Sequence, residues 1–178
     1  MQHYGIIGYP LRFSFSQNYF TKKFLDEGIV DASYSIYPIE TVEGIKNILQ
    51  QNPMLKGLNV TIPHKKNILP FLTTTANLPL GLHACNCIKI DGECLIGYNT
   101  DVIGFEKSLL PLLQQHHTKA LVLGNGGAAD AVKYCLKNLG ITFLVVGRRM
   151  TDEIDVLYEN LTQKIKSLLL SNLLQSYT

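Results

Sequence analysis

Charge is scarce in this sequence and nearly balanced in sign. Charged residues are 17% of the 178, and the formal net charge is +2. Binding to nucleic acid calls for a basic face that such a chain cannot supply, so no nucleic-acid partner is expected. No apolar run is long enough to span a bilayer, and no charged-then-apolar leader opens the sequence. Neither membrane association nor export is therefore expected, and the cytoplasm is the simplest location. Cysteine is limited to Cys85, Cys87, Cys94 and Cys135. With His83 these spell His-x-Cys-x-Cys and one more Cys nearby. Zinc sites space their cysteines by about two to four residues to wrap the ion, and a one-residue gap does not. No metal is expected; reduced, buried thiols in a reducing compartment fit better. What remains is a length of 178 residues, enough for one domain or two small ones, and a 46% hydrophobic composition that can build a real core.

The stretch Gly57-Leu58-Asn59-Val60-Thr61-Ile62-Pro63-His64-Lys65 organises the first half. It reads as a short buried strand stopped by Pro63, which cannot donate to a sheet ladder. Asn59 and Thr61 are two apart and share a face in an extended chain. Lys65 follows at the start of a possible helix. An amide, a hydroxyl and an amine at a strand's carboxyl end suit a polyhydroxylated ligand and a proton transfer. A strand-to-helix turn with a solvated lysine accounts for the same residues.

Residues 3–8 read as a first strand ending in a glycine turn. Ser14 and Ser16 can point the same way beside a helix running from about Ser16 to Gly28, with Phe20, Phe24, Leu25 and Ile29 at helical spacing. Two hydroxyls at a helix N-terminus can cradle a carboxylate; a serine cap plus a loop serine is the plainer alternative. Residues 32–38 alternate as a second strand, Thr41 to Gln51 is a short helix, and a helix near 64–72 is bent by Pro70. Residues 84–90 and 94–98 form a hairpin turned by Asp91-Gly92, which argues for a mixed sheet. In Gly97-Tyr98-Asn99-Thr100-Asp101, Asn99 or Thr100 can cap a helix with Asp101 in its first turn. That helix is expected to reach Gln115, burying Ile103, Leu109, Leu110, Leu112 and Leu113.

From Lys119 the pattern changes. Ala120–Leu123 is a continuous apolar run, expected to be a strand buried on both faces. It leads into Gly124-Asn125-Gly126-Gly127-Ala128-Ala129 and a helix to about Asn138, then a second buried strand from Thr142 to Val146. This is βαβ with Gly-x-Gly-x-x-Ala at the first turn, the arrangement that takes a dinucleotide pyrophosphate. The second strand ends in Gly147-Arg148-Arg149 with no acid there to hold a ribose hydroxyl. Two arginines suit a 2′-phosphate instead, so NADP is the expected cofactor. Residues 153–170 read as an amphipathic helix, Ser167 to Leu174 as an apolar stretch, and only two parallel strands are recognisable in this part.

Taken together these motifs resemble the shikimate dehydrogenase family. The matches are Gly8-x-Pro10 with Ser14-x-Ser16, Gly57-x-Asn59-Val60-Thr61-x-Pro63-x-Lys65, Ala84-x-Asn86, Gly97-Tyr98-Asn99-Thr100-Asp101-x-x-Gly104-Phe105, Gly124-x-Gly126-Gly127-Ala128-Ala129, and Arg148. They cover residues 1 to about 150 in the family's order. The resemblance implies an α/β protein: a mixed α/β substrate-binding domain over residues 1–100, a partial Rossmann-like NADP-binding domain over 101–150, and an atypical tail, expected to be helical, over 151–178. It implies that Ser14 and Ser16 hold a substrate carboxylate, that Asn59, Thr61, Asn86 and Asp101 bind ring hydroxyls, and that Lys65 exchanges the proton beside Asp101. Gly124, Asn125, Gly126, Gly127, Ala128, Arg148 and Arg149 would bind NADP. The implied reaction is reduction of 3-dehydroshikimate to shikimate by a monomer or homodimer. Gln17, Phe20, Cys87, Gly147 and Arg149 depart from the family pattern. The family's later strands are not recognisable after Tyr158, so the chain resembles a truncated member with little expected activity. A non-catalytic remnant that binds shikimate-like ligands and a quinate dehydrogenase are the alternatives.

Overall fold

The computed structural model describes residues 1–165; the apolar stretch from Ser167 to Leu174 lies outside them. The chain divides into two compact units, Met1–Gly104 and Phe105–Thr178.

The first unit is built on a five-stranded sheet in the order β2-β1-β3-β4-β5. Strands β1 (Gln2–Gly8), β2 (Ala32–Pro38) and β3 (Leu55–Val60) run parallel. Strands β4 (Cys87–Asp91) and β5 (Cys94–Tyr98) run antiparallel to their neighbours, which makes the sheet mixed, as the hairpin signal implied. The hairpin loop is Gly92-Glu93, one residue later than expected, because Asp91 still pairs with Cys94. Gly92 takes the positive φ of +60° that the first loop position needs.

Helix α1 (Phe15–Asp26) connects β1 to β2, and a 3-10 turn (Val42–Gly44) with α2 (Ile45–Gln51) connects β2 to β3. Alternation along β3 then divides the sheet into two faces. Leu58 and Val60 point into a core with Ile7, Ile45, Ile68 and Ile88, all at most 2% exposed. Gly57 and Asn59 therefore lie on the other face, the side on which Phe20 of α1 stacks on Tyr34 at 4.9 Å between ring centroids. After β3 the chain forms only a single helical turn, α3 (His64–Asn67), and Pro70 sits in a separate 3-10 turn (Leu69–Phe71). The helix expected over 64–72 with a bend at Pro70 is instead divided into two short turns, where the proline lacks its donor.

Helix α4 (Thr100–Leu109) is shorter than expected for the same reason. Pro111 sits in a 3-10 turn (Leu110–Leu112) that ends the helix before Gln115. Leu109 and Leu113 pack on the second unit's core, whereas Ile103, Leu110 and Leu112 are exposed.

The second unit carries a three-stranded parallel sheet: β6 (Lys119–Leu123), β7 (Thr142–Gly147) and β8 (Val156–Leu157), with α5 (Gly127–Asn138) between the first two. Its core is Val122, Leu136, Ile141, Val145 and Ile154. Two expectations change here. Strand β6 is covered on one face: Val122 is buried, but Leu121 and Leu123 are 41% and 64% exposed. The segment expected to be helical from residue 153 supplies a third strand instead. Ile154 and Val156 are buried while Asp155 between them is exposed, and Asp155 Oδ2 accepts from the Val145 N–H at 2.7 Å. That alternation fits a strand, and among the described residues α-helix resumes only at 161–165. Among the described residues, no helix is long and apolar enough to cross a membrane. All four cysteines are free; Cys85 and Cys135 are buried as expected, but Cys87 is half-buried and Cys94 exposed.

Truncating Leu58, 1% exposed at the centre of the first core, to alanine should cost about 2–5 kcal/mol of stability in urea unfolding. Leu123→Ala, on the open face of β6, should change it by no more than about 0.5 kcal/mol.

Candidate active site

The carboxyl ends of β3 and β5, and the residue leading into β4, converge on one polar cluster. Chain exit at Thr61–Pro63 places Lys65 on α3, and its carbonyl accepts from the Cys85 N–H at 2.8 Å. That bond draws Ala84–Asn86 alongside. Asn86 is fixed next by its own backbone: its N–H donates to the Tyr98 carbonyl and its carbonyl accepts from the Val60 N–H. Asn99 is 5% exposed, accepts from the Val102 N–H at 3.2 Å and donates to the Ala84 carbonyl at 2.8 Å. It therefore caps α4 and ties that helix start to the same segment.

Asp101, in the first turn of α4, faces this cluster. Its Oδ2 accepts from Lys65 Nζ at 2.6 Å and its Oδ1 from Asn86 Nδ2 at 2.7 Å. The Asn86 side chain also donates to Thr100 Oγ1 and accepts from the Thr100 N–H at 2.8 Å. The Lys65 and Asp101 side chains are 14% and 31% exposed. This is a half-buried ion pair whose carboxylate is held at both oxygens, so a ligand at the ammonium meets a fixed donor rather than a wandering chain. Although the sequence division put Asp101 at the head of the nucleotide-binding part, it lies within the first unit with Lys65.

The remaining residues fall into two groups. Ser14 is the cap of α1; its Oγ accepts from the Gln17 N–H at 3.3 Å, and it is 8% exposed. Gln17 thus uses the N–H that a proline there would lack. Ser16 lies in the first turn of α1. The Tyr34 hydroxyl donates to Asn59 Oδ1 at 2.6 Å, and Asn59 Nδ2 reaches the Asn86 carbonyl at 3.5 Å. Tyr34, Asn59 and Asn86 therefore form one chain of hydrogen bonds running to Asp101. Thr61 is half-buried, and its methyl lies so close to Gly8 that any Cβ at that position would collide with it. Glycine at position 8 is what lets the strand end come this close.

Tyr34 carried no signal in the sequence beyond its place in an alternating strand. Its parity with Ala32 and Ile36, opposite Tyr4 in register, is what faces it toward Asn59. Burial pushes its phenol up to about 12, against a smaller lowering by Ser16. Burial likewise raises the Cys85 and Cys87 thiols.

In the second unit, the glycine turn joins β6 to α5 as expected. Gly124 has φ +98°, a conformation that favours glycine, and its N–H donates to the Val146 carbonyl at 2.7 Å. Gly126 caps α5, Gly127 and Ala128 occupy its first turn, and Ala129 packs on the core. A cleft of about 780 Å³ opens beside the turn, lined by Gly124, Asn125, Gly147, Arg148, Arg149 and Tyr158 among others. Both arginines are exposed. Glycine backbone, a helix N-terminus and two exposed guanidinium groups fit an anionic dinucleotide. The Asn125 side chain is engaged within the protein, with Lys133 and Glu153. Neither of those two residues stood out in the sequence.

A mixed-sheet α/β unit followed by a Rossmann-like βαβ unit defines the class of α/β protein. Residues 6–88 match the shikimate dehydrogenase substrate binding domain. The NADP(+)-dependent shikimate dehydrogenase of Pelobacter propionicus is 38% identical over 157 residues, 85% of this chain and 54% of that protein. The crystal structure of shikimate dehydrogenase from Aquifex aeolicus is 31% identical with a TM-score of 0.73, covering 88% of this chain and 62% of that one. The shikimate 5-dehydrogenase of Thermus thermophilus, solved in complex with NADP(H) and shikimate, aligns at 26% identity and TM-score 0.70 over 83% of this chain and 56% of that one. The chain is thus similar to shikimate dehydrogenases over most of its own length. It spans about half the length of the curated relatives it matches.

Tyr34 yields a pH prediction. With its folded value raised from 10.0 to about 12, its contribution to stability is complete below the unfolded value and falls as pH rises from 10 toward 12. Absorbance titration should show a late tyrosinate transition that is missing in Tyr34→Phe.

Proposed function

We propose that this chain carries the substrate-binding and proton-transfer residues of an NADP-dependent shikimate dehydrogenase. The observation that carries the reading is the Lys65–Asp101 pair at 2.6 Å, with Asn86 bonded to the same carboxylate. Lys65 would hold the proton at the reacting ring oxygen, giving it up in reduction and taking it in oxidation. Asp101 keeps the ammonium oriented and answers its charge when the ligand excludes water. Asn59, Thr61 and Asn86 offer amides and a hydroxyl to ring hydroxyls. Ser14 and Ser16 would hold the carboxylate from the start of α1. The Ser14 Oγ already accepts the cap bond, so its own O–H would serve the ligand.

NADP, when bound, would supply the acceptor or donor of hydride. The second unit's part is to hold it: the turn from Gly124 through Ala128 toward the pyrophosphate, and Arg148 with Arg149 toward the 2′-phosphate. The relatives named as NADP(+) enzymes support that assignment. The direction as 3-dehydroshikimate reduction, and the preference for shikimate over quinate, follow from the family resemblance.

The test is an assay of NADPH formation from shikimate, together with shikimate binding by calorimetry. In a version completed with the remaining nucleotide-binding strands of a full-length relative, Lys65→Ala should lower kcat by roughly 10²–10⁴-fold while shikimate still binds. A Lys65→Ala protein that raises KM at unchanged kcat makes Lys65 a binding residue and overturns the role given to it. Failure of the unsubstituted chain to bind shikimate overturns the substrate assignment.

A further inference from the structure

Lys133, on α5, is 19% exposed at its side chain and gathers three oxygens from three directions. Its Nζ meets Asp130 Oδ1 at 2.8 Å, Asn125 Oδ1 at 2.7 Å and Glu153 Oε2 at 3.1 Å. Asn125 Nδ2 closes the triangle by donating to the same Glu153 oxygen at 2.8 Å. Three segments are joined: the glycine turn through Asn125, the helix through Lys133, and the loop after β7 through Glu153. Burial disfavours the Lys133 charge, but its bonds to Asp130 and Glu153 outweigh that and raise its pKa.

The loop fastened by Glu153 is the one that carries Arg148 and Arg149. Those arginines are exposed, and what limits the loop is its two ends. At one end β7 pairs with β6 up to Val146 and with β8 up to Gly147. At the other, Ile154 is 8% exposed in the core, with Glu153 beside it bonded back to the glycine turn.

We infer that Glu153 is a positioning residue, clamping the Arg148–Arg149 loop to the glycine turn so that the arginines are pre-set for a 2′-phosphate. This rests on the reading of the cleft as the NADP site. An acid so close to a phosphate site would ordinarily repel the ligand. Here Lys133 offsets part of that charge, although it is shared with Asp130, so the tether repels a phosphate less than a lone carboxylate would. A tether of this kind raises affinity by removing the ordering cost of the loop at the moment of binding.

The opposite sign is equally definite: if Glu153 acted only as a negative charge, removing it would tighten phosphate binding. Two variants separate these outcomes. Glu153→Gln keeps an oxygen that both Lys133 and Asn125 can reach but removes the charge. Glu153→Ala removes the tether. Calorimetry with 2′,5′-ADP and with 5′-AMP on the full chain should show Glu153→Ala weakening 2′,5′-ADP by about 3–10-fold. AMP should change by less than about twofold, and Glu153→Gln should restore 2′,5′-ADP binding to within about twofold of the original. Equal or tighter 2′,5′-ADP binding in Glu153→Ala overturns the clamp. Amide exchange over residues 148–153 is an independent arm: it should speed up in Glu153→Ala and not in Glu153→Gln, and unchanged exchange also overturns the clamp. If the unsubstituted chain binds neither nucleotide, the cofactor reading fails, and exchange alone decides whether Glu153 tethers the loop.

Discussion

A lysine ammonium that is largely withdrawn from water has to have its charge answered, and in the first unit that requirement falls on Asp101. Lys65 is 14% exposed at its side chain, and Asp101 accepts from it at 2.6 Å. The carboxylate can do this because Asn86 holds its other oxygen and because the cap by Asn99 fixes where α4 begins. Asn86 is itself held between Val60 and Tyr98 by its backbone. The pair is thus the meeting point of three strand ends, and its geometry is only as good as the sheet register that brings them together. Shifting β4 by one residue would turn Asn86 away from Asp101 and put a cysteine in its place.

That dependence explains which parts of the site could be read from the sequence. Lys65 and Asp101 are 36 residues apart, yet each sits in a local pattern with its own logic: a proline-stopped strand and a capped helix. Local chemistry marks them both, and the family resemblance joins them. Tyr34 has no such marker. Its role comes from facing Asn59 across β1, a relation set by strand order β2-β1-β3 rather than by spacing along the chain. Phe20, which departs from the family pattern, stacks on Tyr34 and helps to bury it. Ser14 is legible as both a cap and a ligand group; the cap is the geometry found.

The element boundaries that differ from expectation share a physical cause. Pro111 ends α4 early and Pro70 divides the turn after α3, because in each case a missing N–H outweighs a favourable apolar spacing. The segment after Arg149 differs for another reason. Ile154, Asp155 and Val156 are too few to show a period, so a two-residue strand against β7 leaves no signature. The exposure of Leu121 and Leu123 is also out of reach, since an apolar run reports what a strand could bury and not what is there to cover it.

The two units place their cations differently. In the first unit the groups assigned to the substrate carboxylate are neutral hydroxyls at the start of α1, while Lys65 is already paired with Asp101. In the second unit the arginines are exposed, and the largely buried Lys133 is committed to Asp130 and Glu153. Cations assigned to ligand binding are therefore left toward solvent, whereas buried ones are neutralised by acids of the chain. That division follows from solvation: a cation kept unpaired in the interior would lose its charge, while at the surface it can wait for a phosphate at little cost.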